Sequence, residues 1–198
     1  MTQSTPNILV IMVDQMTPFL AGAYGNPEVK TPSLDKLAAS GTRFDAAYTP
    51  CPICAPARAS LMTGRHASNV GCNDNGDAFS PLTPTFAHYL SNVGYETILS
   101  GKMHFVGPDQ LHGFEERVTT DVYPADFGWM PDWENSDERI DLWYHNMSSV
   151  KQAGVTSITN QLTYDDEVGA KSVQAIYDHA ASEDERPLCL VSSFIHPH

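Results

Sequence analysis

The chain has 198 residues, and its 24 acidic and 11 basic side chains give it a formal net charge of −13. A nucleic-acid-binding function is excluded, because phosphate contacts need clustered Lys and Arg side chains and the sequence has no such cluster. No apolar run approaches the roughly 20 residues of a membrane span, and the N-terminus lacks the basic flank of a signal peptide. The four cysteines are irregularly spaced, which without a secretion signal indicates reduced thiols in a cytoplasmic protein. Because the sequence has no membrane span, we also expect that the protein does not bind membranes.

Short apolar runs and amphipathic runs alternate along the chain. The apolar runs predict strands at 7–13, 42–48, 95–100 and 188–194. The amphipathic runs, which end near glycine or polar residues, predict helices at 31–41, 55–62, 85–93 and 163–182. This alternation is typical of an α/β fold with a mainly parallel sheet and helices on both of its faces.

The sequence also makes specific predictions for the first strand, the last helix and two loops. The continuous apolar pattern of the first strand predicts that both of its faces are covered. The last helix is expected to bury the stripe that contains Val173, Ile176 and Tyr177, and to carry Asp165 in its first turn. Residues 71–84 and 106–160 are rich in turn formers and are predicted to be loops, the second of them rich in aromatic residues.

Polar side chains follow the ends of the predicted strands and precede the predicted helix at 55–62. Because ligands of parallel sheets bind beyond the carboxyl ends of the strands, we expect these side chains to lie on one rim. An acid, an amide, cationic groups and histidines at one place would suit an anionic substrate and a hard metal ion. The residues are Asp14, Gln15, Cys51, Cys54, Arg58, Lys102, His104, His196 and His198.

Residues 54–58 read CAPAR, and residues 63–65 read TGR. Taken singly, a buried cysteine and a surface arginine would be the ordinary interpretation. Together the two segments resemble the C-x-P-x-R…T-G-R signature of the type I sulfatases, a branch of the alkaline-phosphatase superfamily. Residues 101–104, GKMH, are similar to the G-K-x-H element of that family, and residues 194–198, FIHPH, are similar to its H-x-P-H element.

This resemblance implies a nucleophile made after translation. A formylglycine-generating enzyme would oxidise Cys54 to formylglycine, whose hydrate attacks sulfur. Arg58 would stabilise the modified residue and its ester. Lys102, His104 and His198 would bind sulfate oxygens and handle the proton of the leaving group, with His198 preferred to the other histidine of its segment.

The same resemblance implies a metal site. Asp14, Gln15 and the modified Cys54 would be ligands of a divalent ion. Most members of the family have a second aspartate where this chain has Gln15, and the amide lowers the local negative charge. Oxygen ligands of this kind favour Ca²⁺, with Mn²⁺ or Mg²⁺ as alternatives.

The aromatic-rich loops are most similar to the choline-sulfatase branch of the family. Aromatic faces hold quaternary ammonium ions through cation–π interactions. Trp129 is therefore expected to form an aromatic wall of the substrate pocket, and Asn75, His145 and Asn146 are expected to be further pocket contacts. Simple packing is the alternative interpretation for most of these aromatic residues.

The resemblance spans residues 1–198 but covers only the N-terminal part of the family's catalytic domain. It implies that a second pair of metal ligands lies elsewhere and that the full-length protein is a homo-oligomer. The resulting hypothesis is hydrolysis of a small-molecule sulfate ester, choline O-sulfate, to choline and sulfate. The alternatives are a phosphonate monoester or phosphodiester hydrolase on the same scaffold, and a catalytically incomplete fragment.

Overall fold

The computed structural model describes residues 5–123, 125, 134, 151 and 153–198. Most of its helices and strands follow the order that the sequence predicts. Two short 3-10 turns, Pro18–Leu20 and Gly22–Tyr24, follow the first strand. The elements are β1 (Ile8–Val13), α1 (Pro32–Ser40), α2 (Cys54–Thr63), α3 (Ala67–Val70), α4 (Phe86–Asn92), β2 (Glu96–Gly101), β3 (Glu116–Arg117), α5 (Asn160–Ala181) and β4 (Leu188–Phe194).

The described strands form one sheet in the order β1-β4-β2-β3, and every neighbouring pair is parallel. Ile8 lies opposite Cys189 in the β1–β4 pair, and Glu96 lies opposite Leu188 in the β2–β4 pair. The predicted α/β fold with a mainly parallel sheet is confirmed. Its consequence for function is that β1, β4 and β2 end side by side at one edge.

Helices cover both faces of the central strands, as the sequence predicts. Side chains alternate between the two faces of a strand, so consecutive residues of β2 and β4 belong to different clusters. The cluster that includes α2 and α4 contains Met62, Ala87, Leu99 and Val191. The cluster that includes α5 contains Ile98, Ala175, Leu188 and Leu190.

Helix α5 packs on the sheet through a different face from the predicted one. Its buried residues are Val168, Ser172 and Ala175. The stripe that was expected to be buried is exposed, and Tyr177 is 69% exposed. Ser192 Oγ of β4 donates a hydrogen bond of 2.7 Å to Ser172 Oγ, which donates to the carbonyl of Val168. Small residues and hydroxyl pairs therefore form this contact, and a search for apolar stripes overlooks them.

Other expectations about the elements are wrong. Residues 42–48 form no strand; they are exposed, and Arg43 pairs with Asp45 at 2.7 Å instead. Helix α5 begins at Asn160, where Thr159 Oγ1 accepts a hydrogen bond from an amide of the first turn, so Asp165 lies beyond that turn. The predicted loop at 106–160 contains the short strand β3.

Strand β1 is an edge strand in the described part of the chain rather than a strand covered on both faces. Leu9, Ile11 and Val13 share one face and are exposed, while Val10 and Met12 pack against the core cluster of α2 and α4. The described residues contain no helix that is long and apolar enough to cross a membrane.

Gly101, at the end of β2, is the glycine whose replacement we expect to be most damaging. Its φ is +99°, and a Cβ at this position would overlap the carbonyl group of Ser193 in β4. Gly94 is the matched control, because its φ is +93° but the space around its missing Cβ is open. We expect Gly94→Ala to lower the free energy of unfolding by about 1–2 kcal/mol, and Gly101→Ala by at least about 3 kcal/mol. Chemical denaturation measures both, and equal losses would contradict the close approach of β2 to β4.

Candidate active site

Most of the polar residues predicted to share one rim converge at the carboxyl ends of the strands. Asp14 follows β1, Lys102 follows β2 and His198 lies just beyond β4, while Cys54 is the first residue of α2. The amide of Lys102 donates to the carbonyl of Ser193 at 2.9 Å, and the amide of Asp14 donates to a carbonyl of β4 at 3.2 Å. The pairing of the sheet therefore continues into the residues of the site and fixes their backbones.

A buried ion cluster lies at the centre of the site. Asp14 Oδ2 lies 2.9 Å from Arg58 Nη2 and 2.9 Å from Lys102 Nζ. Burial by itself would raise the pKa of Asp14, but the hydrogen bonds and charges of Lys102 and Arg58 outweigh burial and hold that pKa below its usual value. Two cations thus face one carboxylate, and the excess positive charge favours an anionic ligand.

Cys54 lies beside this cluster. Its Sγ atom is 3.6 Å from Lys102 Nζ and 3.9 Å from Asp14 Oδ1. It is the first residue of α2, so it lies at the partially positive end of the helix dipole. Cys51, Cys54, Cys72 and Cys189 are all free thiols. A nucleophile at position 54 would therefore lie in a region of positive potential.

Asn75, which the sequence suggests as a substrate contact, has a structural role at the same helix. Ile53 precedes α2 and offers no capping side chain. Asn75 Oδ1 instead accepts a hydrogen bond of 2.9 Å from the amide of Ala55. Asn75 also lines the cavity that contains Cys54, so helix capping and substrate contact are compatible roles.

Arg58 is held on several sides. Its Nη1 atom donates to Ser193 Oγ at 2.8 Å and to the carbonyl oxygen of Lys102, and it lies 3.5 Å from Met103 Sδ. These contacts orient the guanidinium, whose other nitrogen binds Asp14. Sequence reasoning missed Ser193, because a serine in an apolar strand carries no signal that a distant arginine needs an acceptor there.

His198 is the histidine of its segment that reaches the site. Its Nδ1 atom lies 3.5 Å from Lys102 Nζ, 3.7 Å from Asp14 Oδ1 and 3.1 Å from Tyr123 Oη. His196 pairs instead with a carboxylate of α5. The preference for His198 over His196 as the residue that faces the site agrees with this geometry.

Asp165 anchors the segment that carries His198. It accepts hydrogen bonds from the amides of Ile195 and His196 at 2.8 and 3.0 Å, and its Oδ2 atom lies 2.6 Å from His196 Nδ1. The acidic residue that the sequence assigned to the first turn of α5 thus holds the chain just beyond β4.

His104 and Tyr123 form the side of the site next to Lys102. Their ring centroids are 4.7 Å apart, and Lys102 Nζ lies 4.5 Å from the ring centroid of Tyr123. Burial lowers the pKa of His104 to about 4, so its imidazole is neutral at neutral pH. Tyr123 was missed as a site residue, although it begins the aromatic run at 123–129 that carries the choline-sulfatase resemblance. The predicted pocket residues Trp129, His145 and Asn146 lie outside the described residues.

The residues implied as metal ligands supply donor atoms that suit a hard divalent ion, and they form part of its coordination sphere. Asp14 and Gln15 line one cavity of 1090 Å³ together with Cys54 and His198. The two cations bind Asp14 through its Oδ2 atom and not through Oδ1. Ligand atoms of Asp14, Cys54 and His198 lie within 4.8 Å of one another. A carboxylate and an amide are oxygen donors that suit Ca²⁺, Mn²⁺ or Mg²⁺.

Removing the cap supplied by Asn75 tests this description of the helix start. We expect Asn75→Ala to lower the free energy of unfolding by about 1 kcal/mol, because the amide of Ala55 loses its acceptor. Asn73→Ala is the matched control, since Asn73 is exposed and lies in the same loop. Chemical denaturation measures both variants. A role restricted to substrate contact would leave Asn75→Ala as stable as the control.

Comparison with known proteins identifies relatives that are sulfatases. The sulfatase family model matches residues 6–198. The choline-sulfatase of Rhizobium meliloti (strain 1021) is 53% identical over 201 aligned residues, which cover 100% of this chain and 39% of that protein. The arylsulfatase of Clostridium perfringens (strain 13 / Type A) is 40% identical over 119 residues, which cover 60% of this chain and 25% of that protein. The chain therefore spans about two-fifths or less of the length of these relatives.

Solved structures support the fold. The phosphonate monoester hydrolase of Agrobacterium radiobacter has a TM-score of 0.66 and 23% identity, covering 98% of this chain and 41% of that one. A 2-O GAG sulfatase has a TM-score of 0.68 and 23% identity, covering 98% of this chain and 35% of that one. With its motifs placed on this parallel α/β sheet and a family model that matches almost its whole length, the chain belongs to the sulfatase family.

Proposed function

We propose that the polypeptide carrying this chain hydrolyses a small-molecule sulfate ester, and that choline O-sulfate is its substrate. The observation that carries the proposal is the buried cluster of Asp14, Arg58 and Lys102 next to Cys54 at the start of α2. The 53% identity to a choline-sulfatase supports the choice of substrate. The proposal concerns the whole polypeptide, because the chain spans 39% of that relative.

Cys54, once oxidised to formylglycine by a generating enzyme, supplies an aldehyde hydrate as the nucleophile. Lys102 Nζ, 3.6 Å from the sulfur of Cys54, stabilises negative charge on the attacking group and on the sulfate oxygens. Arg58 keeps Asp14 ionised and adds positive charge, and the start of α2 adds its own partial positive charge. Each of these groups is held in place before the ester binds, which lowers the reorganisation that the reaction needs.

The two histidines have different roles in this proposal. His104 is neutral at neutral pH because burial lowers its pKa to about 4, so it binds a sulfate oxygen through a hydrogen bond rather than through charge. His198 lies within 3.5 Å of Lys102 Nζ and is the residue that gives a proton to the leaving alcohol oxygen.

Asp14, Gln15 and the modified Cys54 would hold a divalent ion, which we propose is Ca²⁺. The ion supplies charge neutralisation and alignment of the sulfate. A Ca²⁺ ion takes about six to eight oxygen ligands, so these residues account for part of the coordination sphere.

The substrate pocket is proposed to include Asn75, Trp129, His145 and Asn146. Asn75 lines the cavity beside Cys54, and the other three are assigned from the sequence. An aromatic face and nearby polar groups hold a trimethylammonium group through cation–π and charge interactions. A cytoplasmic location and a homo-oligomeric full-length protein remain predictions from the sequence.

Maturation of Cys54 can be tested directly by mass spectrometry. When the polypeptide is co-expressed with a formylglycine-generating enzyme, peptide mapping should show that Cys54 loses one sulfur and two hydrogens and gains one oxygen. Cys51 is an internal control, because it lies three residues earlier and outside the CAPAR segment. An intact thiol at both positions would contradict the assignment of Cys54 as the precursor of the nucleophile.

The choice of substrate is tested by comparing kcat/KM of the matured full-length polypeptide on three compounds: choline O-sulfate, an aryl sulfate and an aryl phosphonate. We expect choline O-sulfate to be preferred. Trp129→Ala should lower kcat/KM for choline O-sulfate by about 30-fold, as expected for the loss of a desolvated cation–π contact of about 2 kcal/mol. The control is the sulfate ester of a small neutral alcohol, for which Trp129→Ala should have little effect.

Two results would overturn the substrate assignment. Preference for the aryl phosphonate would favour the second candidate function, phosphonate monoester hydrolysis, which is the activity named for one of the structural neighbours. Equal losses on the choline and neutral esters would make Trp129 a packing residue.

A further inference from the structure

Asp121 holds the turn that follows β2, although it lies seventeen or more residues further along the chain. Its Oδ2 atom accepts hydrogen bonds of 2.8 Å from the amides of both Met103 and His104. These are the two amides that come directly after Lys102, where the sheet no longer supplies acceptors. Because its side chain is only 5% exposed, Asp121 acts in place of water as the partner of this turn.

Arg117 is the counter-ion of Asp121 and holds the other side of the turn. Its Nη2 atom lies 2.8 Å from Asp121 Oδ2 and donates to the carbonyl of Gly101 at 3.0 Å. Burial alone would raise the pKa of Asp121, but the charge and hydrogen bonds of Arg117, with the two amides, hold that pKa below its usual value. The pair therefore fixes the peptide groups before and after Lys102.

The turn needs this support because its conformation is unfavourable for an ordinary residue. His104 has a φ of +56°, in the left-handed region that costs a residue with a Cβ about 1–2 kcal/mol. Two hydrogen bonds to a carboxylate compensate that cost. Without them we expect His104 to relax to negative φ, which would rotate its ring away from Tyr123 and shift Lys102.

The carboxylate of Asp121 also binds the backbone of Tyr123, whose ring contacts Lys102 and His104. Asp121 Oδ1 accepts a hydrogen bond of 3.3 Å from the amide of Tyr123. One carboxylate therefore binds the amides of His104 and Tyr123 and the amide that follows Lys102. The side chains of Lys102 and His104 both pack on the ring of Tyr123, through the 4.5 and 4.7 Å contacts described above.

We propose that Asp121, with Arg117 as its counter-ion, is a positioning residue for sulfate ester hydrolysis: it holds Lys102 and His104 in the geometry that binds the sulfate. This inference rests on the proposed function. Asp121 acts through the backbone of the turn, and its two oxygens bind protein groups rather than substrate. The role is distinct from fold stability, because the groups that it orients are those proposed to bind the sulfate.

The test uses the matured full-length polypeptide and compares Asp121→Asn with Asp109→Asn. Asp109 is a matched control, since its Oδ1 also accepts two backbone amides, those of Leu111 and His112, in a nearby loop that does not carry Lys102 or His104. We expect Asp121→Asn to lower kcat for choline O-sulfate by about 10- to 100-fold at an unchanged content of formylglycine. Asp109→Asn should keep kcat within about threefold of the wild type.

A second arm shows whether Asp121 acts through the turn. In a His104→Ala background the additional effect of Asp121→Asn on kcat should shrink to a few-fold, because the ring that it orients is gone. If Asp121→Asn does not accumulate as folded protein, Asp121→Glu, which keeps the charge but moves the carboxylate, carries the same expectations.

The outcomes separate the two claims. A wild-type protein that turns over none of the sulfate esters removes the proposed function, and the positioning role is lost with it. An active wild type whose kcat falls equally in Asp121→Asn and Asp109→Asn, or is unchanged in Asp121→Asn, removes the positioning role alone. A full-sized effect of Asp121→Asn in the His104→Ala background would also overturn it.

Discussion

The carboxylate of Asp14, buried at the end of β1, is the group on which the rest of the site depends. A carboxylate in this position is unstable without cations close to it. Arg58 of α2 and Lys102 beyond β2 supply them at 2.9 Å each, and both cations are themselves buried. Each of the three groups therefore requires the other two, and together they tie one helix and two strands into a fixed arrangement next to Cys54.

Around this cluster lies a set of acceptors that hold the backbone and the cations. Asn75 caps α2, Ser193 orients Arg58, Asp121 holds the turn after β2, and Asp165 holds the segment after β4. They come from separate parts of the chain, and each binds a residue of the site or a backbone group within two residues of one. The geometry around Cys54 thus results from long-range contacts as well as from the local motif.

Much of the site could be predicted because two independent signals agree. The CAPAR segment identifies Cys54 and Arg58, and the rule for strand ends in a parallel sheet brings Asp14, Lys102 and His198 to the same edge. The supporting acceptors could not be predicted, since a contact such as that between Asp121 and the amide of His104 depends on the path of the loops. The buried face of α5 was also missed, because Ser172 and Ala175 allow close packing without forming an apolar stripe.

Strand β1 is a case in which the sequence predicts more burial than the described part of the chain shows. Its apolar sequence predicts coverage on both faces, yet the face of Leu9, Ile11 and Val13 is exposed in the described part of the chain. A hydrophobic pattern reports what a strand can bury, and the contacts that bury it depend on elements elsewhere in the fold. The end of β1 is nevertheless well defined, because the pairing with β4 continues to the amide of Asp14.

The central claim is that this arrangement attacks the sulfur of a sulfate ester from position 54. The most direct test is hydrolysis of choline O-sulfate by the matured full-length polypeptide in water labelled with heavy oxygen, followed by mass spectrometry of both products. Attack at sulfur predicts that the label enters the sulfate and that choline stays unlabelled. Label in choline would show that the carbon–oxygen bond breaks instead, and would contradict the account.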